Sequence, residues 1–205
     1  MSSMRMMYPN IDNYIQSLLP DMEQIPRSRQ ELLLGVAEQI QPGASLTFIC
    51  THNSRRSHFG QIWAAVAAAW YGVEGVKTYS GGTKATAFNP KAVAALERAG
   101  FRVENPGGEN PVYRVSFSEK EPPLECFSKV YDHPSNPSQD FIAVMTCSDA
   151  DENCPFIPGA TLRVPLTYED PKEADGTPEE TTRYDERCRQ IATEMFFLFS
   201  QVKNQ

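Results

Sequence analysis

Histidine, cysteine and positive charge are all scarce in this chain of 205 residues. There are three histidines and five cysteines, and 19 lysines and arginines face 26 aspartates and glutamates, a net charge of −7. So acidic a chain is not attracted to polyanions overall, which excludes general binding to nucleic acid or to a membrane surface and leaves room only for a local basic pocket. Long apolar runs are also missing. The richest, Ile62 to Trp70, is short and alanine-rich, far below the ~18 residues of a membrane span. The opening "MSSMRMMYPNIDNY" has no apolar core of a secretory signal. Few cysteines, odd in number, do not suit a disulfide-stapled fold, so a reduced compartment, the cytoplasm, is expected. His52 and His58 have no carboxylate or cysteine at usable metal-ligand spacing, and neither metal nor organic cofactor is expected.

What is present is an alternation of apolar runs and amphipathic stretches. Helices are expected at Ile11–Leu19, from a Ser28 cap with Glu31 completing a capping box, from about Ser57 to Trp70, after Asn89-Pro90, and from a Thr177 cap with Pro178 and Glu180. Short strands are expected at Leu46–Cys50, Val76–Ser80 and Phe141–Cys147. Thr161–Leu166 is weaker because Pro165 must sit at an edge or end. Val112–Phe117 alternates like an edge strand inside an otherwise irregular stretch of Pro, Gly and Glu. Strands alternating with helices predict one α/β domain with a mainly parallel, four-stranded sheet. Residues 1–44 are set apart as a helical extension, residues 45–205 form the α/β domain, and about 102–126 read as an insertion.

Ligands of such sheets bind beyond the carboxyl ends of strands, and Cys50 and Cys147 each stand at one. Cys50 opens "CTHNSRRS", a C-x5-R-S stretch between a strand and a helix. Such a loop can curl its backbone N–H groups into a nest, with a helix N-terminus behind it and the planar fork of Arg56 beside it. Each of these favours a thiolate over a thiol at the centre. The stretch is either a nucleophile in an oxyanion cradle or a buried cysteine at a strand end. In the first case Thr51, His52, Asn53, Ser54, Arg55, Arg56 and Ser57 are the oxyanion-binding candidates.

"CTHNSRRS" resembles the phosphate-binding loop of the low-molecular-weight protein tyrosine phosphatase superfamily, which includes the thioredoxin-coupled arsenate reductases. "YSGGTKATAFNPKAVAALERAGF" (Tyr79–Phe101) and "YEDPKEADGTPEE" (Tyr168–Glu180) are similar to further motifs of that superfamily, and "FIAVMTCSDADENCPFIPG" (Phe141–Gly159) to its reductase branch. The resemblance covers roughly Leu46–Gly100 and Phe127–Phe199. It implies that Cys50 is the nucleophile, Arg56 the oxyanion grip and Asp170 the general acid. It also implies that Cys147 and Cys154 relay an oxidation outward through a mobile segment to thioredoxin or another thiol reductant. Arsenate, or phosphate, is the implied oxyanion. Where relatives often carry a cysteine this chain has Arg55. Where some carry a glutamate beside a structural potassium ion it has Gln61, so that ion is not expected. Cys126 and Cys188 are expected to be structural. The competing readings are a phosphatase of phosphotyrosine or small phosphoesters, and a sensor that binds oxyanion or arsenic without turnover.

Overall fold

The computed structural model describes residues 7–202. Its centre is strand β1 (Ser45–Cys50), flanked by β2 (Lys77–Gly82) and β6 (Phe141–Met145), with β7 (Ala160–Pro165) at the far edge; the order is β2-β1-β6-β7 and every pairing is parallel. Both faces of the sheet are covered, which is why β1 and β6 read as nearly unbroken apolar runs. Leu46, Phe48, Ile142 and Val144 face the main core, while Ile49, Phe141, Ala143 and Met145 face a smaller cluster. Pro165 ends the edge strand, where its missing N–H costs no ladder bond.

The main core lies between the sheet and α3 (Arg56–Tyr71) and α6 (Glu180–Ser200). The small residues of α3 let it lie close on the sheet: a Cβ on Gly60 would come within 2.4 Å of the Phe48 ring. Gly72 stops the helix in the left-handed conformation, φ 78°. Helix α4 (Pro90–Arg98) starts as expected, with Asn89 accepting from the Lys91 N–H at 2.9 Å, a cap worth about 1 kcal/mol. The N-terminal helices α1 (Pro9–Leu18) and α2 (Arg27–Ala37) belong to the same core. Trp63 shows this: its indole meets Tyr14, Phe101 and Phe196, and its N–H donates to Cys188 Sγ at 3.2 Å.

Several elements differ from the sequence-based expectation. Helix α2 begins at Arg27 with Pro26 as its cap residue, not at Ser28; the Glu31 carboxylate is taken by Arg27 at 3.1 Å instead of closing a capping box. Helix α6 begins at Glu180. Thr177 and Glu180 still cap, one turn early: Thr177 Oγ1 accepts from the Glu179 N–H, and Glu180 accepts from the Gly176 N–H at 2.7 Å. The irregular stretch after α4 is an antiparallel sheet, β3 (Arg102–Glu104), β4 (Tyr113–Ser116) and β5 (Leu124–Cys126), with β4 in the middle and not at an edge. Between Cys147 and Cys154 lies a short helix, α5 (Ser148–Asn153), where a mobile segment was expected. Among the described residues no helix is long and apolar enough to cross a membrane.

Candidate active site

Cys50 ends β1 beside Gly82 of β2, and Ile49 pairs with Met145 of β6. The loop that follows leaves the carboxyl edge of the sheet and turns into α3. Asn53 makes the turn possible by adopting a left-handed backbone, φ 46°, a conformation asparagine tolerates better than most residues. Its N–H then points back and donates to Cys50 Sγ at 3.1 Å. Ser57 Oγ lies 3.1 Å from the same sulfur. Asn53 Nδ2 donates to that hydroxyl oxygen at 2.9 Å, which leaves the hydroxyl proton free to point at sulfur. Ser57 therefore serves the thiol and not the helix cap.

Asn53 also braces the loop from outside. Its side-chain oxygen accepts from the Lys129 N–H at 3.0 Å and its carbonyl accepts from His58 Nε2 at 3.0 Å. Ser54 donates to the Ala87 carbonyl, and the Thr51 carbonyl accepts from the Lys84 N–H. His52 is exposed, and only its carbonyl is engaged, by Ser128 and Thr86. The braces at residues 128 and 129 come from the chain leaving β5, so the small sheet delivers supports to the loop.

His58 is a structural part of this frame. A carbonyl can only accept, so Nε2 carries the proton and Nδ1 faces the Ser80 hydroxyl at 3.2 Å. Burial first, then the Lys129 ammonium, push its pKa down to about 3. An unfolded histidine takes its proton near 6.5. The unfolded chain therefore binds more protons between those values. The stability contributed by neutral His58 is complete above about pH 6.5 and drains away as pH falls towards 3. Stability against urea is expected to fall, as pH drops through this window, by up to about 1.4 kcal/mol per pH unit. In His58→Asn that slope should be shallower; an unchanged slope would assign it to other groups.

Arg56 opens α3 and reaches the segment before α6. Its Nη1 donates to the Tyr168 carbonyl at 2.7 Å and its Nη2 to Asp170 at 2.6 Å; Nε is buried and has no hydrogen-bond partner among the described residues. Arg55 does not point into solvent. Its Nε donates to the Tyr184 hydroxyl at 2.8 Å, and its guanidinium lies 3.9 Å from both Asp170 and Asp175. Asp170 thus stands between two guanidinium groups. Tyr184 passes its own proton to Asp175 at 3.0 Å. Sequence reasoning did not find Tyr184 or Asp175. The side chain of Tyr168 turns away from the loop to Glu194, at 2.7 Å.

Cys147 lies on the same edge of the sheet, buried, 3.4 Å from the Thr51 hydroxyl. That hydroxyl donates to Asp149 at 2.6 Å. Its one proton being spent, it accepts from the Cys147 thiol. Cys147 also caps α5, accepting from the Ala150 N–H at 3.4 Å. Cys154 is half-buried at the other end of α5. The carbonyls of Asp151 and Cys154 are held there by Arg163, at 2.6 and 3.0 Å. Cys50, Cys147 and Cys154 are free thiols around one apolar cluster. Cys126 and Cys188 are elsewhere, fully buried, and burial pushes both thiols up to about 12.

A thiol cradled by a strand-to-helix loop, an arginine at its rim and an aspartate on that arginine describe the low-molecular-weight phosphotyrosine phosphatase fold. The solved phosphatase of this type from Vibrio cholerae superposes on the chain with a TM-score of 0.52 at 15% identity, over 77% of this chain and 95% of that one. No protein-family model matches. An arsenate reductase from Bacillus subtilis is 30% identical over 144 residues, 69% of this chain and 84% of the relative. One from Bacillus licheniformis is 28% identical over 160 residues, 77% and 96%. The chain belongs to the arsenate reductase branch of the low-molecular-weight phosphatase superfamily.

Proposed function

We propose that this protein reduces arsenate to arsenite, with Cys50, Cys147 and Cys154 as a thiol relay and an external dithiol as the electron source. The observation that carries this reading is the set of three free thiols about one cluster at the loop's edge of the sheet. A phosphatase of this fold requires only the first.

Arsenate enters the loop against the N–H groups after Cys50 and the Arg56 guanidinium. The Cys50 thiolate attacks arsenic, and Asp170 protonates the departing oxygen, which leaves as water. Cys147 then attacks the Cys50 sulfur. A Cys50–Cys147 disulfide forms, the S–As bond breaks with its electron pair left on arsenic, and arsenite departs. The Cys147 proton has a way out through the Thr51 hydroxyl towards the Asp149 carboxylate. Cys154 attacks Cys147 in turn, frees Cys50 as a thiol, and carries the oxidation outward as Cys147–Cys154. Two residues beyond Cys154, Phe156 exposes 75% of its surface, an apolar contact point beside the outgoing disulfide that suits a protein dithiol.

The Cys50 loop, Arg56 and Asp170 are also sufficient for phosphoester hydrolysis, with water completing the reaction. One assay separates the two. Arsenate should drive oxidation of a thioredoxin-type dithiol, one disulfide per arsenite, at least about a hundredfold faster than an aryl phosphate is hydrolysed. Rapid hydrolysis without arsenate turnover would reverse the assignment.

A further inference from the structure

Asp170 ends a stretch, Thr167 to Asp170, that is held residue by residue. Thr167 presents its carbonyl to Arg29 Nη1 at 3.1 Å. Tyr168 donates its N–H to the Thr146 carbonyl, accepts Arg56 at its own carbonyl, and donates its hydroxyl to Glu194. Glu169 takes Arg187 at 3.2 Å, and Asp170 takes Arg56. Of these holders Arg29 is the one supplied by the stretch ahead of β1, to which no part of the reaction has been assigned.

Arg29 is more than a surface contact. Its fork grips both oxygens of Glu194, Nε to Oε1 and Nη2 to Oε2, each at 2.7 Å. Its guanidinium lies 4.9 Å above the Tyr168 ring. Glu194 is almost fully buried, 2% exposed, and three donors converge on it: two from Arg29 and one from Tyr168. Planar, bidentate geometry of this kind fixes direction as well as distance. The remaining arm of Arg29 goes to a backbone carbonyl three residues before Asp170. Removing Arg29 unfastens that carbonyl and leaves the buried Glu194 carboxylate with the Tyr168 hydroxyl as its one remaining donor of the three, while the Tyr168 ring loses the cation above it. The carbonyl of Tyr168 orients Arg56, and Asp170 follows two residues later.

We propose that Arg29 is a positioning residue for the Asp170 acid, so that α2 takes part in the reaction through Glu194 and Tyr168. The inference rests on the acid role of Asp170. Its signature is a loss in the chemical step with little loss in oxyanion binding, because the Cys50 loop is braced by Asn53 and Ser54 and shares with this stretch only the contacts of Arg56.

The test uses the full chain and single-turnover arsenite formation. Arg29→Ala should slow the step about tenfold, while competitive inhibition by inorganic phosphate stays within about twofold. The decisive measurement is a double-variant cycle. If Arg29 acts through Asp170, Arg29→Ala adds nothing to Asp170→Asn. Losses that multiply, or a phosphate affinity that falls as far as the rate, overturn the proposal and leave the acid assignment standing. An Asp170→Asn variant of full activity overturns that assignment and the proposal together. Tyr168→Phe removes only the hydroxyl contact and offers a milder perturbation should Arg29→Ala not fold. It should slow the step about threefold with phosphate inhibition again unchanged, and an unaltered rate counts against the proposal.

Discussion

Cys147→Ser is expected to release no arsenite, even in a single turnover, a loss of more than about a thousandfold in rate. A serine hydroxyl cannot act as the attacking thiolate; Cys126 and Cys188 are buried away from the loop, and Cys154 stands at the far end of α5 with its carbonyl held by Arg163. Arsenate should still enter, because Asn53 and Ser57 hold the Cys50 sulfur and Arg56 is fastened to Tyr168 and Asp170, all without Cys147. Cys154→Ser should behave differently, yielding about one arsenite per chain and then stopping when a protein dithiol is the reductant. The two variants read two steps of the proposed relay, in which Cys147 breaks the S–As bond and Cys154 only clears Cys50. Arsenite release by Cys147→Ser would remove the relay from the mechanism.

The second step carries a structural demand. Cys147 and Cys154 cap opposite ends of α5. Seven steps along the chain from Cys147 to Cys154, at about 1.5 Å each in a helix, separate their Cα atoms by roughly 10 Å, whereas a disulfide allows about 4.4–6.8 Å. Helix α5 must therefore unwind before the second disulfide closes. The helix is short, carries Asp149, Asp151 and Glu152, and is fastened at its end by Arg163, which also pairs with Asp151 at 2.7 Å. The relay therefore asks a formed helix, and not a loose segment, to open.

The Cys50 loop was legible because it depends on local order, whereas Asp170 was singled out only by the resemblance of its segment. A thiol, five residues, an arginine and a serine between an apolar strand and a helix offer an anion cradle beside the plainer reading of a buried strand-end cysteine, and the buried strands announce themselves by unbroken apolar runs. What stayed hidden depends on contacts across the chain. Arg55 meets Tyr184 over 129 positions and Arg29 meets Glu194 over 165, and such pairs leave no periodic trace. Of the small sheet only β4 showed, as the alternation at Val112–Phe117; β3 and β5 have three residues each, too few for an alternation to stand out. At α6 the capping residues are recognisable but belong one turn earlier, because Thr177 and Glu180 close the turn that precedes the helix.

Gly82→Ala is expected to lower arsenate turnover at least about a hundredfold without changing any side chain of the reaction. Gly82 ends β2 beside Cys50. Its N–H donates to the Lys129 carbonyl at 2.8 Å, and its own carbonyl accepts from the Tyr131 N–H at 2.9 Å, so the residue cannot retreat. A Cβ there would stand 2.4 Å from the Lys84 carbonyl oxygen and 2.8 Å from both the Asn53 nitrogen and the Thr51 carbonyl oxygen. These are backbone atoms, and the Asn53 N–H is the one that donates to Cys50 Sγ. Relief requires the loop to move away from the sheet, which tilts that donor off the sulfur and opens the nest. Overpacking of this kind costs about 1–3 kcal/mol, so the variant should fold with a lowered melting point while phosphate no longer protects Cys50 from alkylation. Gly35→Ala is the matched control. It lies inside α2 with open space where its Cβ would go, and should stabilise the chain by about 0.5–1 kcal/mol with turnover unchanged. If Gly82→Ala retains both turnover and phosphate protection, the loop is not held by the strand beside it, and its rigidity must come from its own hydrogen bonds alone.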